Sequence, residues 1–146
     1  MKPFPHHYSV AARATPGGSV PISSAGLAEL ETAPPPDFDG PGGLWSPENF
    51  LVAAVADCFV LTFRSVARAG KLAWERLECT TEGVLDRAAG VTQFTRFSTQ
   101  ATLIVPPGTD LAKARDLLER AEKLCLIANS LRGERHLDAR VVESAG

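Results

Sequence analysis

The sequence predicts an α+β fold built on antiparallel sheet. Three observations carry that reading. Strand-like and helix-like segments come in blocks rather than in strict alternation. One long apolar helix follows a loop rich in proline and glycine. Two long alternating segments, residues 74–86 and 92–105, follow that helix as a hairpin. At 146 residues the chain is one domain's worth. We read it as residues 1–45, a small meander closed by the Pro/Gly loop, and residues 46–146, which carry the long helix, the two long strands, a second helix and a last strand.

Each element follows from its residues. Residues 6–14 (HHYSVAARA) read as a strand, TPGG as a turn, and SVPIS and LAELETA as two short strands. Pro34, Pro35 and Pro36 then forbid helix and central strand alike. The long helix is expected over residues 46–69: Ser46 suits the N-cap, Pro47 the first helical position, Glu48 the positive end of the dipole and Gly70 the C-cap. In residues 74–86, Leu77, Cys79 and Thr81 share one face. A turn spans 87–90. In the next strand Phe97, Thr99, Ala101, Leu103 and Val105 share a face. Asp110 caps a second helix running to about Leu126, with Leu111, Ala114, Leu118, Ala121 and Cys125 inward. The last strand, HLDARVVES, turns Leu137, Ala139 and Val141 inward.

The bulk chemistry narrows the function. A net charge of −2 and a pI near 5.9 argue against nucleic acid, which requires a basic face. No basic run suits an anionic membrane surface, and the most apolar stretch, residues 50–63, falls short of the ~20 residues that span a bilayer. The N-terminal MKPFPHHYSV lacks the apolar core of a signal peptide. Three cysteines without C-x-x-C spacing do not make a disulfide framework or a zinc site. The expectation is a cytoplasmic protein with reduced thiols, no metal and no cofactor.

That leaves sulfur. Cys58 lies mid-helix in the most apolar element, beside Asp57. Cys125 lies at the end of the second helix's buried seam. Cys79 reads as small core filling. A buried thiol is usually inert, but two on neighbouring elements are what redox chemistry needs. They pair only if their Cα atoms come within about 7 Å, which the sequence permits without requiring.

The stretch SPENFLVAAVADCFVLTFRSVAR resembles the signature helix of the OsmC/Ohr family, with its Pro-Glu pair, Ala-rich run and Ala-x-Cys-Phe. RAEKLCLIANSLRG resembles the family's second signature. The likeness spans essentially the whole chain. It implies an intertwined homodimer in which antiparallel sheets pack around long central helices. It also implies a thiol peroxidase that reduces organic hydroperoxides, with Cys58 as the peroxidatic and Cys125 as the resolving cysteine. Glu48 matches the family's active-site glutamate. The resemblance further implies regeneration by an external dithiol or a lipoylated protein.

Two departures accompany the likeness. The N-terminal hairpin, where peroxidase members place an activating arginine, has none in TPGGSVPISSAG. Arg13 and Arg132 are the candidate cations in its place. Leu126 stands where a proline usually follows the second cysteine. Ten residues of helix separate Glu48 from Cys58 by about 15 Å, so Glu48 serves another subunit's site or simply the helix dipole. The alternative functions are a dimer that binds a small lipophilic ligand and a thiol redox sensor.

Overall fold

The computed structural model describes all 146 residues, as two compact units, Met1–Phe50 and Leu51–Gly146. In the first, β1 (Ala11–Ala12), β2 (Val20–Ser23) and β3 (Leu30–Thr32) form an antiparallel sheet in that order. The first strand is two residues rather than the expected nine. Its partner β2 is four residues long and contains Pro21, which has no N–H to donate, so little ladder is available. The proline loop contains a 3-10 turn at Pro36–Phe38. Its two ends are tied together where Ala33 N donates to the Trp45 carbonyl at 3.1 Å.

The long helix α1 (Pro47–Ala69) starts where expected. Ser46 caps it: its Oγ accepts from Asn49 N, and Asn49 Oδ1 accepts from Ser46 N, satisfying donors at both ends of the first turn. At the other end the helix stops at Ala69 with Gly70 as the C-cap, as expected, and the residue with left-handed backbone is the next one, Lys71 (φ 52°). Gly70 also serves close packing, since a Cβ there would stand 3.0 Å from Leu117 Cδ1.

The second unit also holds β4 (Arg76–Ala88), β5 (Val91–Val105), α2 (Leu111–Leu124), α3 (Leu126–Asn129) and β6 (Glu134–Glu143). Strands β4 and β5 pair antiparallel through a two-residue turn. Ala89 and Gly90 both have positive φ there, the conformation that matches the strands' twist. Strand β6 adds to the other edge of β5 in parallel, so this sheet is mixed rather than wholly antiparallel. The physical reason is the connection: helix α2 carries the chain back along the sheet before β6 begins, as parallel neighbours require.

The face of β5 is buried as its alternation predicted: Phe97, Thr99, Ala101, Leu103 and Val105 are all at most 7% exposed. Phe59, Phe63, Val66 and Ala67 of α1 and Ala114, Leu117, Leu118 and Ala121 of α2 close over that face to form the main core. Leu111, expected inward, lies exposed in the first turn of α2, and Leu117 takes the inward place. Asp110 does cap α2, accepting from Lys113 N at 3.0 Å. A second, smaller cluster joins Val55, Phe97, Cys125 and Ala128, with Leu51, Val52, Cys58, Phe94, Ile127 and Leu131 at its margin. Here α1 crosses the sheet beside a bulge between Val84 and Leu85. Gly83 permits the approach, since a Cβ at that position would come within 2.7 Å of Val52 Cγ2.

Helix α1 as a whole is long and apolar enough to cross a membrane by length and composition, with a mean hydropathy of 1.8 over its best 18-residue window. This corrects the expectation drawn from residues 50–63 alone. Only 28% of that window is buried.

Candidate functional site

Cys58 is half-buried on α1, at the margin of the smaller cluster, and Cys125 is fully buried within it. All three thiols, Cys79 included, are free. Cys125 is not helical, contrary to expectation. Helix α2 stops at Leu124, Cys125 takes an extended conformation (φ −62°, ψ 102°), and α3 begins at Leu126. Leu126 thus holds the first position of a helical turn, the place that suits proline.

The two sulfurs are neighbours. Burial pushes the Cys125 thiol up to about 11. The Ala128 backbone N–H opposes this, and the neighbouring Cys58 adds to it. No well-aligned hydrogen bond joins them: Cys58 Sγ lies 3.8 Å from Thr62 Oγ1, and Cys125 Sγ lies 4.0 Å from the Val55 carbonyl. Thr62 is the polar partner that the sequence reading missed. Its signal was the i, i+4 spacing from Cys58, which puts both on one helix face.

Cys58 opens onto a cleft of about 610 Å³ lined by Ala54, Asp57, Leu61, Thr62, Ser65, Leu124, Leu126 and Ile127. The lining is mostly apolar, and its one charged member is the exposed Asp57. No cation is among these residues. Arg132 is exposed and makes no ion pair, and Arg13 is engaged by Glu29 through two hydrogen bonds of 3.0 and 3.2 Å. Cys79 packs at the edge of the main core. Burial pushes its thiol up, opposed by a hydrogen bond from Thr81.

Glu48 stands in the first turn of α1, as predicted. Within the first unit it lines a separate apolar cavity of about 450 Å³, together with Val20, Thr32, Ala33, Pro34, Pro35, Phe38 and Pro47. Its Oε2 is buried without a hydrogen-bond partner. No cluster of His, Cys, Asp and Glu able to hold a metal is present.

Comparison with known proteins agrees with this architecture. YmaD, an uncharacterised protein of Bacillus subtilis, is 27% identical over 93% of this chain and 95% of its own length. An organic hydroperoxide resistance protein of Xanthomonas axonopodis pv. citri is 29% identical over 77% of this chain and 78% of its own. The structure of an OsmC-like protein of unknown function from Vibrio cholerae superposes with a TM-score of 0.84. It is 18% identical and covers 92% of this chain and 99% of that one. The OsmC-like protein family profile matches residues 40–139. This profile match, over more than half of the chain and on this fold, places the chain in the OsmC-like family.

Proposed function

We propose that this protein is a thiol peroxidase acting on organic hydroperoxides. The observation that carries the reading is the juxtaposition of Cys58 and Cys125 at the edge of an apolar cleft. The Cys58 thiolate attacks the terminal oxygen of the hydroperoxide. An S–O bond forms, the O–O bond breaks, and the alcohol leaves with a proton. Cys125 then attacks the Cys58 sulfenic acid, forming a disulfide and releasing water. The two thiols lose two electrons and the hydroperoxide gains them. A dithiol, free or on a lipoylated protein, restores both thiols by exchange. This chemistry belongs in a reducing compartment, and the cytoplasm fits three free cysteines. The apolar lining favours oily hydroperoxides over hydrogen peroxide, at about 25 cal/mol per Å² of apolar surface buried.

The working form in this proposal is a homodimer. A helix as apolar as α1 with so little of it covered has a face for a second copy. The buried, unpartnered Glu48 Oε2 fits a role in a site completed by that copy. Arg132 is the available loop cation, whereas Arg13 is already paired with Glu29. The lack of a cation beside Cys58 favours one second reading, a slow thiol redox sensor.

The test mixes reduced protein with cumene hydroperoxide or hydrogen peroxide in stopped flow and counts free thiols. Loss of two thiols per chain, faster with cumene hydroperoxide and abolished in Cys58→Ser, is the expected result. Oxidation no faster than that of free cysteine would reject the enzyme in favour of the sensor. Light scattering should give twice the chain mass; a concentration-independent monomer removes the dimer.

A further inference from the structure

The break that presents Cys125 is not made by proline or glycine. It is held from outside by one side chain. Arg135 on β6 is half-buried and spreads its guanidinium over both flanks of the break. Nε donates to Glu122 Oε1 at 2.6 Å, Nη2 to the Glu122 main-chain carbonyl at 2.5 Å, and Nη1 to Asn129 Oδ1 at 2.6 Å. Asn129 in turn donates from Nδ2 to the Lys123 carbonyl at 3.1 Å. The last carbonyls of a helix lack intrahelical partners. Here two of them, at Glu122 and Lys123, are taken by this side-chain relay. The Cys125 N–H also donates to the Glu122 carbonyl, at 3.3 Å, and the Cys125 carbonyl accepts from Asn129 N at 2.9 Å. The residues Arg135 grips are therefore the residues that hold Cys125 on either side. Its strand position is fixed too: Arg135 pairs with Phe97, which packs in the cluster containing Cys125.

We propose that Arg135 is the positioning residue that sets Cys125 against Cys58. Arginine is suited to this because its planar fork meets three acceptors at once, which a lysine ammonium on a flexible stem does not. Without the fork, the Glu122 carbonyl is free to accept from Leu126, helix α2 continues through Cys125, and the thiol loses its fixed aim. The proposal rests on the pairing of Cys58 with Cys125 proposed above.

The test measures the Cys58–Cys125 disulfide equilibrium in a glutathione redox buffer, where no peroxide is needed. The Cys58 thiolate attacks oxidised glutathione and releases one glutathione thiolate. Cys125, after giving its proton to solvent, displaces the second. Arg135→Met and Arg135→Lys should each lower the effective concentration of the pair at least tenfold, and Asn129→Ala by a smaller factor. Arg115→Met is the control. It removes a 2.8 Å bond from α2 to the Ala139 carbonyl of β6 without touching the break, and should leave the equilibrium within twofold of wild type. If Arg135→Met does not fold, Arg135→Lys and Asn129→Ala decide the matter. The proposal is overturned if the Arg135 variants match wild type, if Arg115→Met shifts the equilibrium equally, or if wild type forms no such disulfide. A wild-type protein that forms the disulfide here but is inert to hydroperoxides would remove the peroxidase reading, while the Arg135 comparison would still decide this one.

Discussion

Cys58 shares its helix face with Thr62, one turn further on, and their Sγ and Oγ1 atoms lie 3.8 Å apart. The hydroxyl is a side-chain oxygen within hydrogen-bond distance of this sulfur, and it donates most strongly when the sulfur is a thiolate. Thr62→Val keeps the shape and removes the donor. At about 1 kcal/mol for a net hydrogen bond, alkylation of Cys58 at pH 7 should slow about fivefold. Iodoacetamide kinetics with mass-spectrometric site assignment measures this, and an unchanged rate would show that the hydroxyl does not assist the sulfur.

Cys125 is a thiol across the neutral range, held there mainly by burial, with a pKa of about 11. Its alkylation in the folded protein should stay slow at neutral pH and rise toward pH 11. The stability consequence has a definite sign. The folded pKa is raised above the unfolded one, so the unfolded chain gives up this proton first. The contribution is full below about pH 9 and is lost as pH rises to about 11. Urea titrations of wild type and Cys125→Ala across that window should show the wild type losing more stability with rising pH.

Asp57 is the charged residue at the cleft that exposes Cys58. Its carboxylate repels a substrate carrying its own carboxylate. Neutral cumene hydroperoxide should therefore react faster than a carboxylate-bearing hydroperoxide of similar size. Asp57→Asn should narrow the gap several-fold at low salt, and added salt should narrow it in the wild type, because the residue is exposed and its field is screened. Equal selectivity in wild type and variant would show that the carboxylate plays no part.

Leu126 begins α3 directly after the extended Cys125. Proline is tolerated at a helix start and wants an extended residue before it, both of which this break supplies. Leu126→Pro should fold normally and raise stability by about 0.4–1 kcal/mol through the unfolded chain. Thermal unfolding reads this directly, and a loss of 2 kcal/mol or more would count against the observed break. Proline inside a continuous helix, for comparison, costs about 3 kcal/mol.

The amino-acid order alone determined the parts whose physics is local. Ser46 and Asp110 cap their helices because a short polar side chain before an apolar run can reach the free N–H groups. The buried face of β5 follows from alternation, since successive side chains on a strand point to opposite faces. The candidate thiols were visible because few other side chains in the chain could carry chemistry.

Tertiary structure decided the rest. That β6 joins β5 in parallel depends on how α2 returns over the sheet. That α2 ends before Cys125 depends on Arg135 and Asn129 taking the Glu122 and Lys123 carbonyls, bonds that no periodicity within residues 111–126 encodes. That Cys58 and Cys125 meet depends on both long helices packing over the same sheet, where the gain from burying apolar surface is large and indifferent to sequence separation. Local patterns fix which groups a segment offers. Long-range burial and the satisfaction of orphaned carbonyls fix which of those groups come together.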